Sequence, residues 1–286
     1  MEVQILIQGV VLPAALAAAV LLLGFRPWQR KEHYQGGLWS GGIALALAFI
    51  VSFISQNGWE SLQPNSKRDW IVYLALALGV IGLPAALLRK STWPTWLAGP
   101  LLVLAITLII KPLDNPTYAL LGLPGLCGVS VFLWFLLEPL ARRRPGASLP
   151  ISFLIIFTGI AIIAELTGGI TFPIICGALS GVCGAAFVIS LLNPRFSFHA
   201  GATPLLATMP PTILWLQGWY DYSGAPVACF LLPLLALPLL WLGELPVITR
   251  QRPWIGVVAR VFLVTIPVAI AIVLVMNTQS SDPYSP

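Results

Sequence analysis

Charge is what this 286-residue chain has least of: Asp, Glu, Lys and Arg together make up 9%, with two His and four Cys. A soluble domain carries about a quarter charged residues, so a water-facing surface of ordinary extent is excluded. Missing too is the alternation of polar and apolar residues that marks a membrane β-barrel. No cofactor fingerprint, metal-ligand cluster or nucleophile–base constellation occurs in the sequence. No catalytic residue, cofactor or metal is therefore singled out, and an enzyme is the least favoured class.

What fills the chain instead is apolar: 58% of residues are hydrophobic and the mean hydropathy is +0.92. A spanning helix needs about 20 apolar residues, rising about 1.5 Å each, to cross a hydrocarbon core about 30 Å thick. Ten stretches meet that need: Gln4–Phe25, Leu38–Ser55, Trp70–Leu88, Trp96–Ile110, Tyr118–Leu137, Leu149–Thr167, Ile170–Leu192, Thr203–Gln217, Ala225–Gly243 and Ile255–Met276. The fourth and eighth are the shortest. The expected fold is therefore all-α, a polytopic integral membrane bundle of about ten transmembrane helices with short loops. Residues 1–286 form one such domain, with 277–286 as a short polar tail. Because no basic region precedes the first apolar run, that run reads as a retained helix and not a cleaved signal.

Basic residues fall on alternate connections. Arg26, Arg30, Lys31, Arg89, Lys90, Arg142, Arg143, Arg144, Arg195, Arg250, Arg252 and Arg260 lie on one side of the expected bundle; Lys67, Arg68 and Lys111 lie on the other. Cytoplasmic loops are enriched in Lys and Arg, so the first group is expected in the cytoplasm and both termini outside, in a bacterial cytoplasmic (inner) membrane. The net charge of +5 is thus a topology signal, and no nucleic-acid partner is expected. Membrane lipids are, with Arg142, Arg143 and Arg144 placed to meet anionic headgroups. Trp28, Trp39, Trp59, Trp70, Trp93, Trp96, Trp219 and Trp254 fall near span ends, as interfacial anchors do, whereas Trp134 and Trp241 sit deeper.

On the seventh span, Gly177, Ser180, Gly181 and Gly184 set small residues three and four apart. Such a face lets helix backbones approach closely, within the chain, in a homodimer or against a partner membrane subunit, and it suggests that this helix sits centrally. Interior prolines point elsewhere. Pro210 and Pro211 stand in the middle of the eighth span, and Pro226, Pro233 and Pro238 on the ninth, so both helices should kink or break. Carbonyls freed in this way are tolerated at membrane depth only inside protein or beside water. Thr203, Thr208 and Thr212, on the same helix, could serve them.

Glu165 ends a charge-free run and is followed at once by Thr167 and a Gly-Gly turn. A carboxylate there could bind a proton or cation. Glu165, Thr167, Thr208, Pro210, Pro211 and Thr212 are accordingly the candidate substrate or ion pathway. Glu138 and Glu244 lie at matching span ends and are expected to pair with the nearby basic clusters, while Arg260 either snorkels to the cytoplasmic face or pairs with Glu244. The favoured reading is a small-molecule or ion permease using proline-interrupted helices, followed by a non-catalytic membrane subunit of a larger complex. A membrane-embedded lipid-processing enzyme comes third.

Overall fold

The computed structural model of the protein describes residues 4, 6–25, 39–63, 69–87, 103, 116–143, 146–192, 196, 199–219, 223–245 and 253–280. Most of these are helical, and no strand occurs among the described residues. A π-helical turn, Ile7–Val11, leads into α1 (Leu12–Phe25); α2 (Ser40–Asn57), α3 (Trp70–Leu87), α4 (Pro116–Arg143), α5 (Ser148–Leu166) and α6 (Thr171–Leu192) follow. The chain then forms α7 (His199–Trp219), α8 (Ala228–Leu239) with a 3-10 extension Leu240–Glu244, and α9 (Pro253–Ser280).

Among the described residues, six segments are long and apolar enough to cross a membrane: Ile7–Gly24, Ser40–Asn57, Gly122–Arg143, Ser148–Leu166, Thr171–Leu192 and Ile255–Thr278. The protein is therefore an integral membrane helix bundle. The expected count of ten is not reached by this measure. Within α3 and α8 the qualifying apolar segments, Trp70–Leu83 and Ala228–Glu244, are shorter, and the expected span Trp96–Ile110 lies outside the described residues. The eighth expected span is helical over 21 residues, longer than read from sequence. It misses the measure because threonines, prolines and glycines dilute its apolar residues.

That dilution has a structural cause. Every residue of α7 from Gly201 to Leu214 is buried, and α7 packs against α2, α3, α4, α5 and α8. A helix walled by protein need not present an apolar surface to lipid, so polar and proline residues are admitted where a lipid-facing helix would exclude them. The most enclosed helix is thus α7. The expectation that α6 holds the centre is corrected: α6 is packed on α5, α2 and α1, and Val188, Leu191 and Leu192 on its other side are exposed.

The expected break in α7 is corrected as well, since the helix runs unbroken through Pro204, Pro210 and Pro211. Neighbours on five sides hold it straight enough to stay helical where an isolated helix would part. In α8 the break is real: after Pro238, which offers no N–H to the preceding turn, the chain tightens into the 3-10 segment Leu240–Glu244.

Backbone contacts fix how the helices cross. Gly42 of α2 and Gly82 of α3 both lie against the Gly201 carbonyl oxygen of α7, so a Cβ at either position would overlap that oxygen. Three helices meet there with nothing but backbone between them. At the opposite end, α5 turns into α6 through Gly168 at φ 81, a conformation that only glycine adopts freely. The Gly146 N–H, just before α5, donates to the carbonyl of buried Phe196, just before α7, at 2.6 Å. All four cysteines are buried and none is in a disulfide, and Trp39 and Trp59 are exposed at the two ends of α2.

Candidate functional site

Spacing of four along α4 puts Ser130, Trp134 and Glu138 on successive turns of one helix face. All three are buried, at 0%, 4% and 4% exposure. Two contacts bring this stretch of α4 against α7, running antiparallel, and helix geometry turns the three toward it. Near one end of the pair Gly122 lies against the Trp215 indole, its Cβ position 3.1 Å from Nε1. Near the other, Thr203 Oγ1 donates to Glu138 Oε2 at 2.5 Å. Ser130 stands eight residues from both contacts, in height and in rotation the middle of the face. On α7 the corresponding residues are Ala207, Thr208 and Pro211. Thr208 precedes Trp215 by seven residues, hence lies on the same side of the helix.

Three polar atoms along this seam have no hydrogen-bond partner: Ser130 Oγ, Trp134 Nε1 and Thr208 Oγ1. An unsatisfied buried group costs roughly 1–3 kcal/mol, and water at membrane depth is scarce. The backbone adds to the deficit, because Pro210 and Pro211 bring no N–H to the carbonyls of Leu206 and Ala207. Thr212 Oγ1 donates to the Thr208 carbonyl at 2.7 Å, leaving the Thr208 hydroxyl itself unspent.

Glu138 closes the seam at its arginine-rich end. Its Oε1 accepts from Arg142 Nε at 2.8 Å while Oε2 takes the Thr203 hydroxyl, so the carboxylate is both neutralised and hydrogen-bonded. Arg143 lies over the Trp241 ring, 5.7 Å from its centroid, and Trp241 Nε1 donates to the Leu136 carbonyl at 3.0 Å. Of the three arginines expected at lipid headgroups, Arg142 and Arg143 thus also have partners inside the chain, and Arg144 lies outside the described residues. We expect Thr203→Val to lower stability by roughly 1.5–3 kcal/mol, the worth of a hydrogen bond to a charged group. Thr203→Ser should restore most of the loss in thermal unfolding in detergent.

A second polar cluster joins α8 to α9. Arg260 is 5% exposed. Its Nη2 meets Glu244 Oε1 at 2.5 Å and the Gly243 carbonyl at 3.0 Å; its Nε has no partner. This is one of the two arrangements expected for Arg260 from sequence. Gly243 permits it, since a Cβ there would lie 2.6 Å from Arg260 Cγ.

The candidate pathway residues divide. Thr208, Pro210, Pro211 and Thr212 are together and buried on α7. Glu165 is exposed on the last turn of α5, whereas Thr167, which caps that helix, is buried. The Thr167 hydroxyl donates to the Ile163 carbonyl at 2.9 Å and accepts from Gln217 Nε2 at 2.7 Å. Gln217 is nine residues beyond Thr208, about 13 Å along the helix, so Glu165 is not brought to the α4–α7 seam. The small face of α6 is filled from within the chain: Gly177 packs on Val10, Gly181 on Ala14 of α1, and Gly184 on Leu154 of α5. Ser180 shares a hydrogen bond of 2.7 Å with Thr158 of α5.

Sequence reasoning did not find Ser130, Trp134 and Thr203 as one group. The spacing of four on α4 was there to be read; the identity of the facing helix was not. Among the described residues no three His, Cys, Asp or Glu side chains gather as metal ligands. No protein-family model matches the chain, and no curated protein does. The site's own geometry carries the functional reading.

Proposed function

We propose that the protein is a membrane permease whose solute path follows the seam between α4 and α7. The reading takes the chain as ten spans, adding α3, α7, α8 and residues 96–110 to the six long apolar helices. It sets the arginine-rich ends in the cytoplasm and both termini outside, in a bacterial inner membrane. The observation that carries it is the enclosure of α7, a helix buried over fourteen consecutive residues from Gly201 to Leu214 yet bearing threonines and three prolines. A helix kept only for packing gains nothing from a buried hydroxyl without a partner, such as that of Thr208; a solute path can use one. The subunit reading draws on the exposed apolar row Phe262, Ile266, Ile270 and Val273 of α9. Lipid covers such a row equally well, so the seam weighs more. The enzyme reading lacks a nucleophile–base pair among the described buried groups.

The test is solute flux into proteoliposomes over a panel of charged and uncharged small molecules. Wild type is expected to carry at least one solute faster than protein-free vesicles. Ser130→Ala with Thr208→Val should slow it about tenfold, the effect of roughly 1.4 kcal/mol on a barrier. Glu165→Gln should leave the rate unchanged. Equal flux in wild type and the double variant would remove the seam from the path.

A further inference from the structure

We infer that the α4–α7 seam is a binding site for a small uncharged polar molecule of the amide or polyol class, seated between Ser130 and Ala207 with Trp134 and Thr208 at its rim. The inference rests on the permease reading for its role in transport, but the site itself is argued from unmet hydrogen bonds. Ser130 Oγ, Trp134 Nε1 and Thr208 Oγ1 are buried without partners, and Ala207 has lost its helical donor to Pro211. An indole N–H only donates, a carbonyl only accepts, and the two hydroxyls do either. A guest that satisfies all four must therefore carry both an acceptor and a donor. Amides and polyols do.

Charge argues the same way. Glu138, the carboxylate on this face of α4, is already matched by Arg142 and hydrogen-bonded by Thr203, so no uncompensated charge is left to attract an ion. The Trp134 N–H presents the positive end of its dipole, which opposes a cation. An anion would meet no cationic group at the level of Ser130 among the described residues, since Arg142 stands three turns further along α4 at the arginine-rich end. Neutral guests avoid both penalties, since the cost of moving an ion to this depth is many times that of a neutral polar group.

The orphaned hydroxyls also supply a signature that a packing role would not. In the empty protein, replacing an unpartnered buried hydroxyl by a methyl or hydrogen removes a desolvation penalty and should raise stability. Thr208→Val and Ser130→Ala are therefore expected to unfold at higher temperature than wild type in plain buffer, and to lose the stabilisation that a guest confers.

The experiment uses the full-length protein in detergent, with acetamide and glycerol as neutral probes and sodium and potassium chloride as ionic ones. Thermal unfolding is followed together with hydroxyl-radical footprinting read at Trp134, and flux of the same probes is measured in vesicles. Expected are a rise in unfolding temperature with acetamide or glycerol, protection of Trp134 of about threefold or more, and loss of both effects in the double variant. Labelling that falls in the double variant but is indifferent to acetamide and glycerol would mean that the seam holds only water, and would overturn the assignment. So would equal labelling in both proteins. Flux of sodium or potassium in place of the neutral probes would leave the permease reading standing and sink this one. Protection of Trp134 without flux of any probe would keep the site and remove the permease reading.

Discussion

Replacing Arg260 with methionine is expected to lower the unfolding free energy by about 3–5 kcal/mol, the usual consequence of taking one partner from a buried ion pair. The guanidinium and its partner Glu244 have side chains only 6% and 14% exposed. Removing the arginine takes this ionic partner from a largely buried carboxylate, where among the described residues charge clamps the 3-10 end of α8 to α9. The loss should be largely relieved by adding Glu244→Gln, because a neutral pair of similar volume carries far less desolvation penalty. A double-mutant cycle measured by thermal unfolding at one detergent concentration checks this. If Arg260→Met unfolds with wild type, the pair contributes nothing and the α8–α9 contact is held by apolar packing alone.

Valine at Gly42 or Gly82 is expected to be worse still, leaving little monodisperse protein after purification. Either side chain would be driven into the Gly201 carbonyl oxygen, and a backbone atom of an enclosed helix cannot swing away as a side-chain tip can. Overpacking in ordinary cores costs about 1–3 kcal/mol, and a backbone-to-backbone crossing should reach or exceed the top of that range. Two substitutions act as controls. Gly177→Ala meets only Val10 Cγ2, at 3.2 Å, and should cost little. Gly125→Ala meets nothing within 4 Å and should be neutral or slightly stabilising, since alanine favours helix. Wild-type yield and unfolding temperature for Gly42→Val would show that the three helices can part at this crossing.

Segment by segment, the apolar runs told where helices lie. Leu149–Thr167 became Ser148–Leu166 and Ile170–Leu192 became Thr171–Leu192, with the turn at Gly168 and Gly169 where the glycine pair put it. Glu138 with Arg142 was readable because four residues separate them on one helix, and Glu244 with Arg260 because each is a charge at the same end of adjacent spans. Two things resisted. Hydropathy measures readiness to face lipid, so it read α7, buried from Gly201 to Leu214, as shorter than it is. Glu138 and Thr203 are 65 residues apart, and nothing local in either helix says which one it will lie against. Glu165 stood out in sequence for being alone. The groups that matter at the seam are weakly polar, and single Ser, Thr and Trp residues are too common in membrane helices to stand out.

The enclosure of α7 also bears on how the chain is made. Among the described helices, four of the five that wall it, α2, α3, α4 and α5, precede it in the sequence, and α8 follows. A segment this rich in threonine and proline partitions poorly into bilayer on its own at the translocon. During synthesis, however, it emerges when most of its socket already exists, and it can leave the aqueous channel by docking on protein instead of dissolving in lipid. The order of helices along the chain is thus also an order of assembly, in which the least membrane-loving helix enters after most of those that shelter it.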